Sequence, residues 1–225
     1  MTLQALDNPI WHALQTTQAE FAQGHELAKR FPNSIAPFAA MPEPSPAAFD
    51  SLARVLEPGG VGAWFTTSTP KIPEAWQTVF SGEISQMICE NLQSTLPLEM
   101  RVLSEQDVPA MLELVSLTKP GPFSERTIEL GMFWGVFVDG HLVAMAGERL
   151  RMTGFTEVSA VCTHPDYQSR GYGKALVHRV CEGIFARTEM PFLHVKTSNQ
   201  NAIRTYQALG FKERCKIQLF VLKAP

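Results

Sequence analysis

The chain has 225 residues, of which 45% are hydrophobic and 18% charged, the make-up of a soluble globular protein with one large domain or two small ones rather than a disordered or fibrous chain. With 19 Lys and Arg against 22 Asp and Glu, a formal charge of -3 and no basic run, it lacks the electrostatic footprint of a nucleic-acid binder. No apolar stretch reaches the ~20 residues that span a bilayer, and Met1-Thr2-Leu3-Gln4 has no basic leader segment, so a cytoplasmic location with no membrane partner is expected.

Along the chain, Ile10, Leu14, Ala19, Phe21 and Leu27 predict a helix over residues 8–30, with Asp7 or Asn8 as N-cap, Pro9 in the first turn and a break near Gly24. Prolines then crowd residues 31–46 and leave room for one short strand at 35–40. Pro46–Leu56 reads as a helix stopped by Pro58-Gly59-Gly60, Val61–Thr66 as a strand, and residues 76–89 as one or two strands around Gly82. Nothing in this half clusters into chemistry. After turn signals at 91–97 the pattern sharpens. Residues 99–103 form a strand, and Ser104 with Asp107 has the spacing of a capping box that opens a helix through Val115. Phe133–Val138 and 142–149 flank Asp139-Gly140, the strongest hairpin signal in the sequence. A strand at 157–163, a helix at 173–187, a strand at 192–196, a helix at 201–209 and a strand at 215–222 follow. The four cysteines, Cys89, Cys162, Cys181 and Cys215, lie far apart without metal-ligand spacing, so reduced buried thiols and no metal are expected.

The chemistry concentrates where the strand ending at Pro165 runs through Gln168-Ser169-Arg170-Gly171-Tyr172-Gly173-Lys174 into a helix. Backbone N–H groups at such a turn converge with the positive end of a helix dipole, which is what a pyrophosphate needs, and glycine lets the ligand approach the backbone closely. Taken alone, a Gly-x-Gly turn is equally at home in a protein that binds nothing. Here it is accompanied by a second pattern, Asn199-x-x-Ala202-x-x-x-Tyr206-x-x-x-Gly210-Phe211.

Together these segments resemble the GNAT family of acyl-CoA-dependent N-acyltransferases over residues 98–225. The resemblance implies an α/β fold with a mixed, mostly antiparallel sheet flanked by helices. It also implies that acetyl-CoA or another acyl-CoA is co-substrate, and that the acyl group passes directly to an amine, with coenzyme A thioester and a small-molecule amine as the partners. It assigns the pyrophosphate to Gln168, Ser169, Arg170, Gly171, Tyr172, Gly173 and Lys174, the pantetheine arm to Ala160, Val161 and Cys162, and a further contact to Asn199. The Cys162 N–H becomes the oxyanion donor. Tyr206, which by itself reads as a packed core tyrosine, becomes the group that protonates or holds the departing thiolate. Glu157 becomes the acceptor of the amine proton or the ligand of the ammonium, with Glu148 as a competitor and a solvated strand-end carboxylate as the plain reading.

His164 before Pro165 is expected to shape the turn, and Cys162 to act through its backbone, because transfer from a thioester needs no covalent intermediate. Residues 1–95 are expected to form a smaller α/β domain, a candidate degenerate copy of the same fold as in glycine-N-acyltransferase-like relatives. Two other readings stand beside the enzyme: a non-catalytic acyl-CoA sensor, and a protein that binds a partner through its first half. Oligomeric state is left open.

Overall fold

The computed structural model describes residues 2–225; Met1, the first residue of the segment read as 1–95, lies outside the described residues. The first half contains α1 (Pro9–Gln15), β1 (Gln23–His25), β2 (Ala28–Arg30), β3 (Ala39–Ala40), α2 (Pro46–Leu56), β4 (Val61–Thr66) and β5 (Gln77–Cys89). The second contains β6 (Arg101–Val102), α3 (Val108–Thr118), β7 (Phe133–Val138), β8 (His141–Met152), β9 (Phe155–Thr163), α4 (Tyr172–Ala186), β10 (Met190–Lys196), α5 (Gln200–Gln207) and β11 (Phe211–Lys223).

Local chemistry explains the clear elements. The Ser45 hydroxyl accepts from the Ala48 N–H at 3.2 Å and Pro46 occupies the first turn, so α2 begins where its apolar face (Ala48, Phe49, Leu52, Leu56) begins. It stops at Glu57, whose φ is 66°, ahead of Gly60, where a Cβ would collide with the Leu56 carbonyl. Ser104 and Asp107 close the expected capping box. Asp139 and Gly140, both at positive φ, make the tight turn between β7 and β8.

The helix expected over 8–30 is much shorter. It ends at Gln15, ahead of Thr16-Thr17, and Gln18 is then buried because its amide ties α1 to the sheet, donating to the carbonyls of Arg149 (2.7 Å) and Leu130 (3.3 Å) and accepting from the Arg151 N–H (3.0 Å). Gly24 is no mid-helix break; it sits at φ 113° in the β1–β2 hairpin, where a side chain would strike the Ala28 carbonyl. The strand expected at 35–40 shrinks to Ala39–Ala40, and the one or two strands around Gly82 are one continuous strand, with the Phe80 ring lying over Gly82.

Eight strands form one sheet in the order β4-β11-β5-β10-β9-β8-β7-β6, with only β9 and β10 parallel. β4 and β5 come from residues 1–95, and β5 is inserted between β10 and β11, so the sheet crosses the expected boundary near residue 95. The remaining strands of the first half make a separate three-stranded sheet, β1-β2-β3. α4 and α5 pack on one face through Leu176, Val177, Val180, Ile184 and Tyr206, each buried apolar side chain contributing roughly 1.5–3 kcal/mol. α3 covers the opposite face with Met111 and Leu114 against Phe133 and Met145. Elsewhere Leu6, Ile10 and Leu14 meet Leu150, Phe155 and Phe192, which welds the first half to the centre of the sheet.

Candidate active site

β9 and β10 are bonded only from Phe155/Met190 to Glu157/Phe192, after which they diverge. The other edge of β9 stays on β8, with Cys162 opposite Met145 and Thr163 opposite Ala144. One edge of β9 beyond Glu157 is thus left facing a cleft of about 550 Å³ instead of a neighbouring strand. An unpaired sheet edge at the centre of a sheet is costly unless something takes its hydrogen bonds. Ala160 sits at φ 52° at a shift of register against β8, and this bulge bends β9 where the cleft opens.

At the end of β9 the His164 Nδ1 accepts from the Asp166 N–H at 3.3 Å, which makes His164 a turn-shaping residue as expected. Ser169 (φ 62°) and Gly171 (φ 81°) then reverse the chain into α4, whose N-terminus has neither a side-chain cap nor an acidic residue in its first turn. Its first N–H groups are accordingly free to meet an anion. A Cβ at Gly171 would meet no atom within 4 Å, so the backbone there is open to an approaching group, whereas Gly173 lies at ordinary contact distance from Thr163 and Val161.

Of the residues singled out from sequence, Ala160, Val161, Cys162, Gln168, Gly173, Asn199 and Tyr206 line the cleft together. Ser169, Arg170, Gly171, Tyr172 and Lys174 lie on the turn and the first turn of α4 rather than in the cleft wall. Arg170 is exposed there, stacked 4.9 Å from the Tyr167 ring. Asn199 also caps α5, its Oδ1 accepting from the Ala202 N–H at 3.2 Å. Tyr206 is buried on α5; that burial, followed by the nearby Cys162, pushes its hydroxyl up to about 12, so it stays protonated. Burial likewise holds the Cys162 thiol at about 11, which makes it a poor nucleophile.

Glu157 does not line the cleft. It is 0% exposed, and its carboxylate accepts from Arg149 Nε (2.8 Å) and Nη2 (2.7 Å) and pairs with His194 Nδ1 (2.7 Å). Burial would raise its pKa, but the Arg149 charge and these hydrogen bonds outweigh burial and bring it down to about 2. The His194 Nε2 lies 3.0 Å from Gln86 Nε2, which also donates to the Leu6 carbonyl, while Gln86 Oε1 accepts from Arg214 Nη1. With the amide fixed at both ends, Gln86 is the donor and His194 carries its proton on Nδ1. A polar chain, Arg149–Glu157–His194–Gln86–Arg214, therefore crosses five neighbouring strands with its central members mutually satisfied. Glu148 is buried as well and paired with Arg187 at 2.8 Å.

Sequence reasoning missed Arg149 and His194, both of which line the cleft, and the wall formed by Phe38, Ala63, Phe65 and Ile84 of the first half with Leu219 and Val221 of β11. For His194 a signal existed, an ionisable side chain between Leu193 and Val195 in a short apolar strand, whereas Arg149 stands beside Glu148 and near Arg151 and is not set apart by the sequence. The wall is made of ordinary core-type residues and had none. Among the described residues no group of three His, Cys, Asp or Glu could hold a metal ion, and no helix is long and apolar enough to cross a membrane.

Residues 134–221 match the family described as FR47-like protein. A crystal structure of a GNAT-family protein from Novosphingobium aromaticivorans DSM 12444 superimposes with a TM-score of 0.90 at 35% identity, covering 98% of each chain. A GCN5-related N-acetyltransferase from Kribbella flavida shares the fold, with a TM-score of 0.65 at 14% identity over 96% of this chain and 92% of that one. Among curated relatives, the [ribosomal protein bS18]-alanine N-acetyltransferase of Salmonella typhimurium is 29% identical over 122 residues, which is 50% of this chain and 79% of that enzyme.

Proposed function

The chain belongs to the GNAT family and catalyses acyl-CoA-dependent N-acetyl transfer, and on that premise we propose how the cleft divides the work: the acyl donor lies along the open edge of β9, and a small primary amine enters from the side walled by the first half. The observation that carries this reading is the divergence of β9 from β10 ahead of the uncapped N-terminus of α4. An extended pantetheine arm can take the hydrogen bonds that β10 leaves unused, as an added strand would, and the pyrophosphate then falls at the Gln168 to Lys174 turn.

The reaction forms an N–C bond and breaks a C–S bond. In the ladder with β8, which the bond from the His164 N–H to the Val143 carbonyl continues, the Cys162 N–H faces Met145, so it is not the oxyanion donor that the resemblance implied; the developing oxyanion is left to the N–H groups flanking it on the open edge of β9, and Tyr206, held protonated, donates to the departing sulfur. Glu157 is assigned a positioning role, holding Arg149 and His194, because its oxygens are engaged and sealed from the cleft. The His194 lone pair is used by Gln86, so the proton of the attacking amine leaves through water. The free cysteines are consistent with work in a reducing cytoplasm.

Calorimetric titration with acetyl-CoA, followed by thiol release across an amine panel, tests the reading. Saturable binding with turnover is the expected result. Binding with no turnover would favour a sensor, and no binding would remove the donor assignment.

A further inference from the structure

The acceptor side of the cleft has a chemical character that narrows the amine. Its walls are apolar where the first half meets β11: Phe38 and Phe65 lie 5.5 Å apart, and Ala63, Ile84, Leu219 and Val221 complete the surface. No Asp or Glu lines the cleft among the described residues, whereas Lys119, Arg149 and Lys196 do. Glu157 is withdrawn behind Arg149 and His194, both of which it bonds. A polyamine or other multiply charged cation would leave water for this surface with no anion to receive its extra charges, which is unfavourable on desolvation grounds alone.

Arg149 provides the opposite preference. Its Nε and Nη2 are spent on Glu157, in a side-on pair that leaves the two N–H bonds of Nη1 without an acceptor in the protein. The residue is only 8% exposed and lines the cleft, and Nη1 lies 3.9 Å from where a Cβ would sit on Gly121, another lining residue. A guanidinium that is nine-tenths buried with one face unserved is a donor set awaiting an oxygen ligand. The Phe38 ring, 4.9 Å from the guanidinium carbon, and the bond to Glu157 hold it in place, so little order is lost when a ligand arrives.

We infer that the acceptor is a primary amine bearing a carboxylate on an apolar body, with apolar α-amino acids its simplest members: Nη1 of Arg149 takes the carboxylate, and the Phe38, Phe65, Ile84 and Leu219 surface takes the side chain. The inference rests on the reading of the cleft as an N-acetyltransferase site. In the step itself the neutral amine nitrogen bonds to the acetyl carbon, the C–S bond breaks, the amine proton passes to water and the thiolate is protonated. The products are an N-acetyl amino acid and coenzyme A.

The test measures thiol release from acetyl-CoA by the full chain with three matched acceptors, phenylalanine, phenylalaninamide and phenethylamine, and with spermidine as the polycation. The expected order in kcat/KM is phenylalanine first, by about 30-fold over the amide and over phenethylamine, the range that a charged hydrogen-bonded partner supports. Spermidine is expected to be slowest. Arg149→Lys should flatten the preference for the carboxylate. Because that change also touches Glu157 and can unsettle the fold, Leu219→Trp serves as a second variant; it should raise the KM for phenylalanine while acetyl-CoA affinity stays within about twofold. Equal rates for acid and amide, a preference for spermidine, or acetyl-CoA binding without turnover of any carboxylate-bearing amine would each overturn the inference. Absence of acetyl-CoA binding would instead overturn the underlying assignment of the site.

Discussion

The two sides of the cleft are built in opposite ways. The side proposed for the donor is made by contiguous chain: a strand, a turn with two residues at positive φ and a helix, all within residues 155–186, with α5 close behind. The acceptor side is made by assembly, taking Phe38 from a loop, Ala63 and Phe65 from β4, Ile84 from β5 and Leu219 and Val221 from the last strand. A ligand that is constant across many enzymes can be held by backbone geometry in one short segment. A ligand that defines one enzyme is met by side chains that are free to come from anywhere in the sheet.

That contrast can be tested from its seam outward. Glu157→Gln, at the junction of the two sides, should have the largest effect, because it leaves the buried Arg149 without its counter-charge; a loss of about 3–5 kcal/mol in denaturant stability is expected. The sign with pH follows from the lowered pKa. The stabilisation by Glu157 is complete above its ordinary value of 4.5 and is lost as pH falls through about 2, so the gap between parent and variant should close over that window in acid titrations of stability.

On the donor side, Gly171→Glu forces a side chain onto φ 81° and brings negative charge to the anion-facing turn. Acetyl-CoA binding by calorimetry should weaken at least about 100-fold, while melting should fall only by the few degrees that about 1–2 kcal/mol of backbone strain accounts for, since no atom crowds the site. Tyr206→Phe removes only a hydroxyl. A drop of about 30-fold in kcat with acetyl-CoA affinity within about twofold would mark it as a proton donor, and an unchanged kcat would return it to the core. On the acceptor side, Phe65→Ala should raise the KM for the amine about tenfold and leave the donor unaffected; a matching loss of acetyl-CoA affinity would mean that the two sides are not separate. The smallest effect is in the pH profile. If water carries the amine proton, the rising limb of kcat/KM tracks the pKa of each amine used, and a limb fixed across amines would point to a titrating group of the protein instead.

The legibility of the sequence follows the same division. The turn at Gly171, the capping box at Ser104 and the Asp139-Gly140 hairpin are local agreements between residue type and backbone, and each stands where the sequence puts it. Glu157 was visible as a carboxylate near the right strand, but its burial depends on Arg149 and His194, which approach from β8 and β10. The helix expected over 8–30 failed for a related reason. Its apolar spacing is real, yet Gln18 turns inward to serve three backbone groups more than a hundred residues away, and this distant demand overrides the local period.

The place of β5 in the sheet has a consequence for how the chain reaches its native state. Ser85 bonds to Glu213 across a separation of 128 residues, and β5 has no partners in the sheet other than β10 and β11. During synthesis β5 therefore stays unpaired, with its apolar face uncovered, until β10 and β11 have been made more than a hundred residues later. A chain cut before β11 is accordingly expected to aggregate rather than to fold as a smaller unit.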